Sequence, residues 1–292
     1  MSVILQVAEI LAPVFAIVLV GYVYARINQP NMQVANRMNM QLLVPALIFS
    51  VMADQGFEIA QYVGLGAAAA GVVLISGCVG YCLAKVLGFR WRTLVPPMMF
   101  VNWGNLGIPL LLFTFGGDAL NAAIVLFIVG NILHFTVGVT LMSGRFRALD
   151  FVKTPVIIAV ILGCFISLTD TSVPAWVVKP LSMIGQAAIP MMLLALGVRL
   201  HQVCWNDLSM SFVVAIACPL VGVLAAWFLG YALELNSLQA KQLLIFGALP
   251  PAVMNFMFAE QYNLEPEKMA SIVMISNLAA VPVYFVLLSF IV

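Results

Sequence analysis

Asn102-Trp103-Gly104-Asn105-Leu106-Gly107-Ile108-Pro109 is the stretch whose reading decides the fold. It lies inside a long apolar run, yet it holds two amides, two glycines and a proline. Pro109 lacks a backbone donor and its ring crowds the preceding turn, while each glycine weakens a helix by roughly 1 kcal/mol. In hydrocarbon an unpaired backbone group costs several kcal/mol, so such a break persists only against protein or beside a wet cavity. The stretch predicts an interrupted membrane helix held near the midplane.

The surroundings fit that environment. Of 292 residues, 64% are hydrophobic and 8% charged, against roughly 25% charged in a soluble domain. Apolar stretches fall at 3–25, 34–52, 61–87, 94–115, 119–142, 154–168, 176–198, 208–231, 238–262 and 266–292. At roughly 20 residues per span they predict ten transmembrane helices and leave no room for a soluble domain. Met1 to Gln6 carries no basic residue and no small-residue cleavage site, so the first span is expected to be retained. The net charge of +1 points to no nucleic acid or acidic partner. The five cysteines, Cys78, Cys82, Cys164, Cys204 and Cys218, form no metal-ligand pattern and read as small apolar packing residues.

Basic residues orient the spans. The odd-numbered connections carry Arg26, Arg37, Lys85, Arg90, Arg92, Arg145, Arg147, Lys153, Arg199 and Lys268, leaving only Lys179 and Lys241 on the other side. By the positive-inside rule the odd connections are cytoplasmic and both termini lie outside.

The chain also resembles itself at a shift of about 146 residues. Gln41-Leu42-Leu43-Val44-Pro45 matches Gln186-Ala187-Ala188-Ile189-Pro190, Gly80-Tyr81 matches Gly230-Tyr231, and Asn131 matches Asn277. Five spans per copy is an odd number, so residues 1–146 and 147–292 form inverted repeats, a signature of secondary transporters. The same shift carries 102–109 onto Ala248-Leu249-Pro250-Pro251-Ala252-Val253-Met254-Asn255, a second break with two prolines. Helix breakers at corresponding positions of two halves are the best sequence pointer to a transport site.

Half-helices ending at the midplane present backbone N–H groups and the positive end of their dipoles, which attract anions. No lysine or arginine lies deep in any span, so an anion would be held by dipoles and amides rather than by a fixed cation. Candidate substrate-binding residues are therefore Asn102, Asn105, Gly107, Pro109, Asn131, Pro250, Pro251, Asn255 and Asn277, with Gln41 and Gln186 as further path-lining candidates. Midspan asparagines can equally bond across helices for packing, and Pro45 and Pro190 can simply kink their helices. His134 and Glu9 are the ionisable side chains that could take up a coupling proton. The bland alternative is a neutral, hydrogen-bonded His134 and a Glu9 that reaches the outer interface.

Asn102-x-Gly104-Asn105-x-Gly107-x-Pro109 resembles the signature of the auxin efflux carrier family. Pro250-Pro251-Ala252-Val253, followed by Phe258-Ala259-Glu260-Gln261-Tyr262, resembles its ninth-span pattern, and Pro282 also fits. The short connections resemble the bacterial permeases, including malonate and malate carriers, rather than long-loop plant members. The resemblance implies an all-α polytopic fold like that of the bile acid and sodium/proton carriers, with crossed, broken helices 4 and 9. Helices 1, 2, 6 and 7 would form a scaffold, often dimeric; helices 3–5 and 8–10 would form a transport domain that moves elevator-fashion. Asn105 and the half-helix after it would bind a substrate carboxylate, with Pro109 and Pro251 at the crossing. Trp103, a bulky indole inside the motif, is expected to narrow the site.

The expected function is secondary transport of a small organic anion, a mono- or dicarboxylate, needing no cofactor beyond a coupling proton or sodium ion. The alternatives are a sodium-coupled organic-anion symporter of the bile-acid type, a channel, or a non-transporting membrane sensor. Expected partners are the anion, the bilayer and a second copy of the chain. An enzyme is not expected: no His-Glu-x-x-His, nucleophile elbow or Walker loop occurs, and the only histidines are His134 and His201.

Overall fold

Long runs of valine, leucine, isoleucine and alanine leave the backbone no water to bond to, and the helix satisfies it internally. The computed structural model describes residues 3–53, 57–144, 154–169, 171–200 and 208–291, and helix dominates them. In chain order the helices are α1 (Val3–Asn28), α2 (residues 33–52), α3 (Ile59–Leu87), α4 (Trp91–Met99), α5 (Trp103–Phe115) and α6 (Ala119–Ser143). There follow α7 (Pro155–Thr169), α8 (Ala175–Leu200), α9 (Leu208–Ala232), α10 (Ser237–Gly247), α11 (Met254–Gln261) and α12 (Pro266–Ile291). Helix occupies every stretch read as an apolar span. Among the described residues, six helices (α1, α3, α6, α8, α9 and α12) are long and apolar enough to cross a membrane.

Prolines set the irregularities. In a regular helix the ring of Pro45 would strike the carbonyl of Gln41, four residues back, and here residues Asn39–Leu43 widen into a π turn. Pro109 stands in the same relation to Asn105, and Trp103–Gly107 is likewise a π turn, closed by Gly107 N–H donating to the Asn102 carbonyl at 3.0 Å. Pro190 stands four residues after Gln186, where α8 is interrupted at Ala187. Gln41 and Gln186, matched in sequence, thus occupy matched bends.

Glycines set the closest packing. α1 lies against the second half of α8, with Gly21 facing the Leu194 backbone and Gly197 facing the Val18 carbonyl. Gly163 receives Met52, and Gly185 receives Leu47, where α2 packs on α7 and α8. In the other large contact group α9 meets α10 through Gly222 and Gly247, and α3 meets α4 where Gly77 faces Met99. Small residues that let backbones approach are the usual means of helix association in lipid. The contacts sort α1, α2, α7 and α8 into one group and α3, α4, α6, α9, α10 and α12 into another, with α5 touching α1, α6 and α8.

Helix ends are tied together in two sets. Thr93 Oγ1 donates to Glu265 Oε2 at 2.5 Å, joining the start of α4 to the α11–α12 connection, where Lys268 also pairs with Glu265 at 2.8 Å. Elsewhere Gln239 Nε2 donates to the Gln61 carbonyl, and Lys241 Nζ caps the Ile291 carbonyl, both at 2.8 Å. Ser167 donates to the Phe57 carbonyl at 2.9 Å. Arg145, Arg147, Lys153, His201 and Cys204 lie outside the described residues.

Candidate functional site

Two interrupted helices cross at their breaks. Between α4 and α5 the chain leaves the helix at Phe100–Asn102, and between α10 and α11 the helix opens over residues 248–253. The two pass antiparallel: Asn102 N–H donates to the Pro250 carbonyl at 2.7 Å, and Ala252 N–H to the Phe100 carbonyl at 2.9 Å. Val101 and Pro251 face each other between these bonds, in the position where neither residue contributes to the ladder. Pro251 therefore sits where its missing donor is not needed. The second break lies where the prolines predicted it. The first falls at the upstream edge of the predicted stretch, because the π turn lets Gly107 and Pro109 continue as helix. Gly107 also makes room for Leu249 of the opposite break, 3.0 Å from where a Cβ would stand.

Asparagines clamp the crossing. Asn255 Nδ2 donates to the Phe100 carbonyl at 2.7 Å and to the Ala252 carbonyl at 3.0 Å. Asn277 Nδ2 donates to the Pro251 carbonyl at 3.1 Å and to Val273 of its own helix at 2.7 Å. Its Oδ1 accepts from Asn102 Nδ2 at 3.3 Å. Asn131, the sequence match of Asn277, instead donates to Phe127 within α6 at 2.8 Å. All four are buried, whereas Asn105 is half-buried and its amide forms no hydrogen bond among the described residues.

An aromatic cluster backs the same point. His134 is fully buried in a π turn of α6, stacked on Phe100 with centroids 4.3 Å apart and edge-on to Trp103 and Phe258. Asn255 lies beside it. The geometry nevertheless leaves both imidazole nitrogens and Asn255 Oδ1 without a hydrogen bond. Trp103 stacks on Phe246 at 5.9 Å and fills the space that Gly130 leaves open. The indole is thus core packing of the crossing, and the expectation that it narrows the site is corrected.

A cavity of about 650 Å³ reaches this point from one face of the molecule. Pro30 to Gln33 and Asn36 line its mouth, Leu196 to Leu200 (save Gly197) one wall, and Val253, Phe256 and Met257 the other. The first half of α12 completes it, with Asn277 among the lining residues. The cavity thus passes between the α1–α2–α8 side and α11–α12.

Comparison with known proteins decides the family. The model of the membrane transport protein family matches residues 6–153 and 146–288. The chain belongs to the auxin efflux carrier family. Within it, the chain is 23% identical over 289 residues to the uncharacterized transporter MJ1031 of Methanocaldococcus jannaschii, covering 92% of this chain and 94% of that protein. It is 30% identical over 132 residues to auxin efflux carrier component 1 of Arabidopsis thaliana, covering 41% of this chain and 20% of that protein. An auxin efflux carrier family member is a membrane transporter and not an enzyme.

For this carrier the sequence candidates divide. Asn102, Pro250, Pro251, Asn255 and Asn277 meet at the crossing, Gly107 packs on it, and Asn105 and Pro109 start the helix beyond it. Gln41 and Gln186 are exposed and line neither crossing nor cavity; Gln186 bonds Ser182 at 3.3 Å. Glu9 is exposed on α1, away from the crossing. Arg199, counted in the sequence among the basic residues of the odd-numbered connections and not as a site candidate, lines the cavity from the last turn of α8. Its signal was the continuous apolar pattern through Leu200, which puts the arginine inside the helix rather than after it.

Proposed function

We propose that this protein is a secondary carrier of small organic anions, mono- or dicarboxylates, working by alternating access. The observation that carries this reading is the cavity that passes between two helix groups and reaches Asn277, the side chain that clamps the crossing. α5 and α11 both begin at the crossing, so two positive helix ends meet there beside the amides, a setting suited to a carboxylate. Asn105, with its uncommitted amide at the start of α5, is the side chain free to add a donor.

In this reading the chain makes ten crossings as two inverted five-helix repeats, 1–146 and 147–292, with α4–α5 and α10–α11 as the crossed fourth and ninth spans. The matched bends at Pro45 and Pro190 and the two sets of tied helix ends support it. α1, α2, α7 and α8 serve as scaffold, and the remaining helices move against them as an elevator. The cavity opens on the side of the basic connections, taken as cytoplasmic in a bacterial-type plasma membrane, which puts both termini outside. Exposed apolar residues of α7 and α8, among them Phe165, Trp176 and Met183, face lipid or the scaffold of a second copy. His134, at the crossing, is the candidate for a coupling proton; sodium coupling is the competing case.

Uptake by proteoliposomes tests the reading. A carrier saturates and shows counterflow with a carboxylate, a channel conducts without either, and a sensor moves nothing. Asn105→Ala is expected to weaken uptake of the transported anion; unchanged uptake would remove Asn105 from the site.

A further inference from the structure

The cavity holds a cation that dipoles and amides do not account for. Arg199 lines it together with Asn277, with Leu196, Val198, Val253 and Phe256 supplying apolar wall. Arg199 Nη1 reaches Met257 Sδ at 3.5 Å, and a thioether sulfur is a weak acceptor. Its Nε is buried and has no hydrogen-bond partner. Among the described residues no carboxylate pairs with it. A partly desolvated guanidinium without an anion is unfavourable, and its planar fork is shaped to take a carboxylate through two parallel bonds.

The cavity therefore offers a cation in its α8 wall, the start of α11 at the crossing, and apolar lining as well. A volume of about 650 Å³ lies within the range of small-ligand sites. We propose that Arg199 is the specificity-determining residue of this carrier, binding one carboxylate of a dicarboxylate whose other end lies at the crossing, where the first turn of α11 lines the cavity through Val253 and Phe256. The proposal rests on the organic-anion reading above. It also gives the ligand a mechanical role: Arg199 belongs to the scaffold group, while α11 packs on α12 of the other, so the bound dianion bridges the two.

The test is uptake of paired mono- and dicarboxylates of equal carbon number, such as butyrate and succinate, by proteoliposomes of wild type, R199Q and R199K. Loss of a charge-assisted pair predicts a KM for the dicarboxylate raised about tenfold to a hundredfold in R199Q. R199K, which keeps the charge but not the fork, falls between, and the KM of any transported monocarboxylate stays within about threefold of wild type. Equal effects of R199Q on both anions, or none on the dicarboxylate, overturn the proposal. A wild type that carries monocarboxylates alone also overturns it, while leaving the anion reading intact. A wild type that carries no carboxylate across a panel of such pairs overturns the anion reading itself. If R199Q does not fold, R199K decides: an unchanged dicarboxylate KM in R199K overturns the role of the guanidinium fork.

Discussion

Asn277 and Asn102, 175 residues apart, meet through a side-chain hydrogen bond of 3.3 Å, while the amide of Asn277 also holds the Pro251 carbonyl at 3.1 Å. One side chain thus ties α12 to both broken helices. Asn277→Ala leaves the Pro251 carbonyl and the Asn102 amide short of partners in a buried place. An unmade buried hydrogen bond costs roughly 1–3 kcal/mol. A clear fall in the melting temperature of the purified protein is expected, and an unchanged one would show that the clamp is dispensable.

Gly197→Ala would put a methyl group against the Val18 carbonyl and 2.8 Å from the Tyr22 nitrogen. Backbone cannot yield as a side chain can, so α1 and α8 must separate. Overpacking of this kind typically costs about 1–3 kcal/mol. Thermal unfolding in detergent measures it; the neighbouring Val198→Ala, which removes rather than adds volume, distinguishes steric pressure from general sensitivity.

His134→Phe exchanges a buried ring with two unpaired nitrogens for an apolar ring of similar shape. Removing unsatisfied polar atoms is neutral or stabilising. The melting temperature is expected to hold or rise, and a fall would show the imidazole to be hydrogen-bonded in the folded protein. If uptake by wild type follows pH, the same variant reads whether His134 is the coupling group, since the dependence should then flatten.

Glu265 titrates outside the spans, and its carboxyl is held below the ordinary value by the Lys268 ammonium and the Thr93 hydroxyl, with Arg90 adding to the effect. A depressed folded value stabilises above the unfolded one, about 4.3 for glutamate, and that stabilisation is lost as pH falls through the folded value. The stability gap between wild type and Glu265→Gln should therefore be full at neutral pH and shrink in the acid range below pH 4. A gap independent of pH would show that the carboxylate charge plays no part.

The physical chemistry of proline made most of this fold legible. Pro250 and Pro251 forbid a continuous helix, and they mark the second break where it occurs. Gly107 and Pro109 were harder to place, because a π turn can absorb a proline and only tertiary pairing moved the true break to Phe100–Asn102. Asn102, Asn255 and Asn277 were found as polar residues in apolar runs, but which carbonyl each would take depends on chain far away in sequence. Arg199 was read as topology because a basic residue at a helix end usually is one; its cavity appears only when α8, α11 and α12 are brought together. Gln41 and Gln186 drew notice through repetition, which their prolines explain.

The pairing of Phe100–Asn102 with Pro250–Ala252 has a consequence for biogenesis. During synthesis the first half enters the bilayer with the Phe100 carbonyl and Asn102 N–H lacking their partners, and the Asn255 amide that also takes Phe100 lies 155 residues downstream. Neither half can complete its own backbone in lipid, so each is an obligate chaperone of the other. Two separately expressed halves should accumulate only when made together.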